Sequence, residues 1–169
     1  MRRKELHRTL QIKSEPITGS ELAARFGVSR QVIVQDIAVL RAEGIPILST
    51  PKGYLLDKQR EEGWPTDVLA VRHTSEKTAV ELYTAVDLGV SVLDVIVEHP
   101  IYGELRGDLM LESRSDVAHF LDRLEKESAT LLSSLTEGRH WHTVRARRAD
   151  RIEKLKQALD DLGILENNP

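Results

Sequence analysis

His140 and His142 stand two residues apart in TEGRHWHTV, on a segment that reads as a β-strand. At that spacing both imidazoles project from one sheet face, roughly 6.5 Å apart along the chain, and can converge on a single metal ion. Trp141 between them points the other way and can pack. His73 ends an earlier predicted strand, and Glu81 follows eight residues later in a predicted helix. Three imidazoles and a carboxylate suit zinc, nickel, iron or copper and disfavour calcium or magnesium. The chain has no cysteine, so any metal must be held by histidine and carboxylate. Surface strands also carry histidine pairs, so HxH alone is a weak sign. Glu81 lies off the apolar stripe of Ala79, Leu82, Tyr83 and Val86 on a helical wheel. That predicts solvent exposure, unless the site sits at a sheet edge or a subunit boundary. His7 and His119 read as structural or solvated.

The elements that must position these residues follow from hydrophobic periodicity. Strands are expected at 67–73, 91–98 and 104–111, with a last one around Thr143 and Val144. Helices are expected from Thr74 to Leu88, from Ser113 or Ser115 onward, and over 148–163. The order is βαββαβα, an open sheet with helices on one face, hence an α+β fold.

The first third of the chain is different. Apolar positions at Leu6 and Leu10 mark one helix, and Ser20 can cap a second that runs to Phe26. Gly27 falls where a tight turn needs a left-handed backbone. Ser29 caps a third helix carrying Val32, Ile33, Ile37 and Leu40, and a hairpin through Thr50-Pro51-Lys52-Gly53 follows. Helix, helix, turn, helix, hairpin is a winged helix-turn-helix, whose second motif helix enters the major groove through its first residues. Here those are Ser29, Arg30 and Gln31, with Gln35 one turn later. Arg can read guanine, Gln can read adenine, and Ser can bind phosphate or a base edge. Lys52 at the wing tip would reach the backbone or minor groove, and Arg2, Arg3, Lys4 and Arg8 add non-specific phosphate attraction.

Charge divides along the same line. Of the 169 residues, 1–56 carry nine Lys/Arg against five Asp/Glu, and the remainder carry fifteen against twenty-two. The balances of +4 and −7 make up the total of −3. Only the first part is suited to a polyanion. The expected organisation is a DNA-binding domain at 1–57, a charged linker at 58–66 and a regulatory domain at 67–169. Hydrophobic residues at 40% and charged ones at 30% exclude a disordered tail. No apolar run reaches bilayer length, and MRRKELHRTL lacks the apolar stretch of a signal peptide, so a cytoplasmic location is expected.

The run GSELAARFGVSRQVIVQDIAVLRAEGIPILSTPKGYLL resembles the amino-terminal domain of biotin-repressor-like bacterial regulators, over residues 5–57. LAVRHT with its EL eight residues on, DVIVEHPIYGELRG and TEGRHWHTV resemble the 3H domain, a bacterial module named for its histidines. Together, nearly the whole chain is similar to niacin-responsive transcriptional repressors of the NiaR type. That resemblance implies a dimer that binds double-stranded operator DNA and represses genes of NAD biosynthesis and niacin uptake, with nicotinic acid as co-repressor. It also implies a divalent transition metal, nickel or zinc with iron also admissible, on His73, Glu81, His140 and His142.

In EHPIYGELRG, Pro100 and Gly103 can simply fix a rigid turn, leaving His99, Tyr102 and Arg106 as ordinary edge residues. Alternatively the three line a pocket for a small aromatic acid, Arg106 pairing the carboxylate and His99 or Tyr102 the pyridine nitrogen. Two other function classes compete with the repressor. A metal-dependent enzyme acting on a pyridine carboxylate or amide is one, although no Ser-His-Asp set, phosphate loop or second acid/base pair accompanies the histidines. A constitutive DNA-binding dimer whose second domain only oligomerises is the other.

Overall fold

In the computed structural model, which describes residues 1–58 and 63–166, Thr18 and not Ser20 opens the second helix. Thr18 Oγ1 accepts from the Glu21 backbone N–H at 3.1 Å, and Glu21 Oε2 accepts from the Thr18 N–H at 2.9 Å. This reciprocal box satisfies two donors that a helix start otherwise leaves open. The helices of this part are α1 Arg2–Ile12, α2 Gly19–Phe26 and α3 Arg30–Ala42. Gly27, at φ 62°, makes the left-handed turn between α2 and α3, and Ser29 caps α3 through Val32 N–H. Leu6, Leu10, Leu22, Ile33, Ile37 and Leu40 close one core, each buried side chain contributing about 1.5–3 kcal/mol. The wing is β1 Ile47–Thr50 paired antiparallel with β2 Gly53–Leu56. Ile17 and Tyr54 exchange both backbone hydrogen bonds at 2.8 Å, which ties the wing to the α1–α2 turn. A Cβ at Gly53 would collide with the Ile17 carbonyl, so that approach requires glycine. Arg2, expected among the phosphate-attracting cations, is exposed but also pairs with the buried Asp36 of α3 through Nε at 2.6 Å.

The chain divides into two compact units, Met1–Gly63 and Trp64–Pro169. Of the expected linker, residues 59–62 lie outside the described residues, and Thr66 already belongs to a strand. The second unit comprises β3 Thr66–Arg72, α4 Thr78–Asp87, β4 Val90–His99, β5 Gly103–Leu111, α5 Arg114–Lys126, β6 Arg139–Ala146 and α6 Ala149–Asp161. Its sheet runs β3-β6-β4-β5, antiparallel throughout. All three helices contribute to one core with one sheet face: Leu82 and Ala85 of α4, Val117 of α5, and Ile152, Leu155 and Leu159 of α6 meet Leu69, Val71, Val92, Leu111 and Val144. On the other face Val68 is exposed and Trp141 half-buried, with the Arg139 guanidinium 5.4 Å from the Trp141 ring. The sheet is therefore open and covered on one side, α+β as its pattern implies. Among the described residues no helix is long and apolar enough to cross a membrane.

Candidate metal centre and nucleic-acid interface

The antiparallel register sets Val71 of β3 opposite His140 and Leu69 opposite His142, so both histidines face the helices from the central strand β6. His73 follows β3, where its backbone N–H donates to the Gly138 carbonyl at 3.3 Å. A Cβ at Gly138 would collide with the His73 carbonyl, and Gly138 adopts φ 86°, so glycine is needed there twice over. Glu81 reaches in from α4. It is not exposed, as the helical wheel implied, but buried together with Thr78, Leu82 and Ala85. The wheel fails because the inward position of this helix faces imidazoles, and a polar partner leaves no hydrophobic signature.

The donor atoms converge. Glu81 Oε2 lies 2.6 Å from His73 Nε2 and 3.6 Å from His140 Nε2, and Glu81 Oε1 lies 3.4 Å from His142 Nε2. His140 and His142 bring their Nε2 atoms to 3.1 Å. All four side chains are at most 7% exposed. On each ring the other nitrogen meets a backbone carbonyl: His73 Nδ1 that of Thr74 at 2.7 Å, His140 Nδ1 that of Gly138 at 2.9 Å, and His142 Nδ1 that of Asp94 at 2.6 Å. A carbonyl only accepts, so each Nδ1 carries a proton and each Nε2 points inward, where it offers a lone pair to a metal ion or, without one, a second proton to the cluster.

His140 Nε2 and His142 Nε2, 3.1 Å apart, need either a proton or a metal ion between them. His73, Glu81 and His140 each bring one donor atom within 4.8 Å of the others, a group that could hold a transition metal, and His142 Nε2 lies 3.1 Å from that of His140. Without metal, burial pushes the Glu81 carboxyl up, but the His142 charge and hydrogen bonds from all three imidazoles hold it well below the usual carboxylate range. Burial lowers His73 and His142, and Glu81 more than reverses this, raising both above 6.5.

A cavity of about 30 Å³ adjoins the cluster, walled by Leu82, Val95, Leu109, Phe120, Leu131 and Leu132, among others. Its polar lining beyond the cluster is Thr78 and Ser133. Thr78 Oγ1 is buried with no hydrogen-bond partner among the described residues.

His99, Tyr102 and Arg106 do not gather around a pocket. His99 and Tyr102 lie at the β4–β5 turn, their ring centroids 4.8 Å apart and Tyr102 73% exposed. Arg106 is opposite Ile96 and donates to Asp94 Oδ2 at 3.0 Å and Glu104 Oε1 at 3.4 Å. It lines a groove of about 440 Å³ with Val68, Ile96, Trp141 and others, on the sheet face away from the helices. The Arg106 guanidinium thus already pairs with two carboxylates of the sheet.

Asp94 is a residue that sequence reasoning missed. Its carbonyl holds His142, and its carboxylate accepts from Thr143 N–H at 2.9 Å and from Arg106. The one visible sign was an acid in the middle of the apolar run VSVLDVIV. In the first unit Arg30, Gln31 and Gln35 are exposed along α3, as is Lys52 at the wing tip, while the Ser29 hydroxyl is engaged in its cap.

An amino-terminal helix-turn-helix unit followed by a histidine-centred sheet domain defines a class of bacterial regulators. The HTH domain family matches residues 2–55, and the 3H domain family matches residues 66–168. The transcription repressor NadR of Bacillus subtilis is 42% identical over 166 residues, covering 97% of this chain and 92% of its own length. The probable transcription repressor NiaR of Thermotoga maritima is 39% identical over 164 residues, covering 97% and 93%. The chain belongs to this NadR/NiaR family of helix-turn-helix proteins with a 3H domain.

Proposed function

We propose that the protein is a cytoplasmic transcription repressor whose operator affinity is set by nicotinic acid and by a transition metal, nickel or zinc with iron also admissible. The observation that carries this reading is three buried imidazole Nε2 atoms gathered on one carboxylate in the domain attached to a helix-turn-helix. The relatives' names, transcription repressors both, support the regulatory role.

The first residues of α3, with Ser29, Arg30, Gln31 and Gln35, enter the major groove, and Lys52 approaches the backbone or minor groove. A homodimer presents two such helices to successive groove faces of double-stranded operator DNA in genes of NAD biosynthesis and niacin uptake. Nicotinic acid acts by population shift, binding best to the dimer geometry that fits the operator. The metal, when bound, supplies a positive centre that orders the cluster and attracts a carboxylate. The effector's place is beside the cluster, where Thr78 offers an unused hydroxyl and Phe120 and Leu132 an apolar wall. Arg106, committed to Asp94, suits the role less.

An enzymatic role finds little support. Beyond the cluster its cavity offers, among the described residues, only Thr78 and Ser133 as polar groups, and these are weak acid/base groups. The test is a thermal-shift series of pyridine carboxylates on metal-loaded and metal-stripped protein. A saturable rise with nicotinate in the loaded protein, lost on stripping, is expected. No saturable shift in either state overturns the effector assignment.

A further inference from the structure

The buried side of α3 is Ile33, Asp36, Ile37 and Leu40. The opposite side begins with Arg30, Gln31 and Gln35, side chains able to hydrogen-bond base edges. Among them stands Val34, 45% exposed, one turn after Arg30 and next to Gln35. Ala38, a turn further on, is exposed as well. Valine is a poor choice for an exposed helix position: its branched Cβ restricts the side chain against the preceding turn. Here it gains little burial in return. At the groove-facing end of a reading helix the same methyl groups have a use, because in the major groove thymine alone presents an apolar methyl.

We propose that Val34 is a base-reading residue that packs against the C5-methyl of a thymine in the operator, beside the bases read by Arg30, Gln31 and Gln35. Ala38 leaves room for the helix to approach. This rests on the DNA-binding reading above and adds a sequence preference to it: a thymine at a fixed step from the bases that the polar side chains contact. Val39, the other exposed valine of α3 at 37%, lies five residues on and roughly 140° round the helix. It faces away from Arg30 and serves as a matched control.

The experiment uses the full-length protein and a duplex enriched from a random pool. Each thymine of the enriched half-site is replaced singly by deoxyuridine, which removes the methyl and leaves base pairing intact. Wild type loses about fourfold in affinity at one thymine, the worth of one buried methyl group. Val34→Ala binds the thymine and uracil duplexes there equally, Val39→Ala discriminates as wild type does, and Val34→Ile keeps the preference. Thermal unfolding midpoints confirm that the variants fold. The proposal is overturned if wild type shows no methyl dependence at any thymine, or if Val34→Ala discriminates as wild type does. If no duplex is enriched, the DNA-binding reading itself falls and takes this inference with it.

Discussion

Glu81→Gln removes the carboxylate charge that faces the three imidazoles with almost no change in volume. Glu81 stands 2.6 Å from His73, 3.6 Å from His140 and 3.4 Å from His142, so one substitution removes the charge that faces all three rings. Glutamine keeps the packing and offers an amide N–H to an imidazole lone pair, so the metal-free variant folds. Metal present at about a hundredfold over its dissociation constant stabilises the wild-type domain by about 2.7 kcal/mol. For a domain of roughly 100 residues that is about 10–20 °C in the unfolding midpoint. Even a hundredfold loss of affinity, the upper end for residues that merely support a ligand, reduces the gain to about 0.4 kcal/mol, or about 2–3 °C. Differential scanning calorimetry of the full chain, with zinc or nickel and then with chelator, measures both shifts. His119→Ala, at an exposed position away from the cluster, retains the full shift. A Glu81→Gln protein with the wild-type shift would refute the assignment of Glu81 as a ligand.

Gly138→Ala forces a side chain against the His73 carbonyl at φ 86°, and a cost of about 1–3 kcal/mol in denaturant unfolding, with weaker zinc binding, is expected. Thr18→Ala removes the capping box and costs about 1 kcal/mol, whereas Ser20→Ala changes chemical denaturation by a few tenths at most. The pH response of the metal centre has opposite signs with and without metal. In the metal-free protein His73 and His142 titrate above 6.5, so their contribution is full below pH 6.5 and fades as pH rises through the raised values. Metal binding displaces those protons, so its affinity increases over the same interval. Midpoints followed from pH 6 to 8 should fall with chelator and rise with zinc, and parallel curves would contradict the shared titration.

Local patterns were readable wherever one chain segment meets one kind of neighbour. The buried side of α3 followed from Ile33, Ile37 and Leu40 at helical spacing, and the shared face of His140 and His142 followed from strand alternation. The capping box at Thr18 and Glu21 was present in the spacing, but Ser20, nearer the apolar run, looked the better cap. What stayed hidden depends on residues far apart in the chain. The inward turn of Glu81 requires knowing that His73, His140 and His142 lie beneath α4. The pairing of Arg106 with Asp94 requires knowing that the two lie across the strand pair, near a register shift that alternation does not foresee. Arg2 and Asp36 are thirty-four residues apart, and nothing local pairs them.

The central claim, that one chain couples a ligand- and metal-sensing domain to DNA, is tested most directly by fluorescence anisotropy on an enriched operator duplex. The measurement is made on metal-loaded protein, on the same protein with nicotinic acid, and on that mixture after chelation. The account predicts tighter binding with nicotinic acid and a return to the weaker level on chelation. Equal affinity in all three conditions would contradict it.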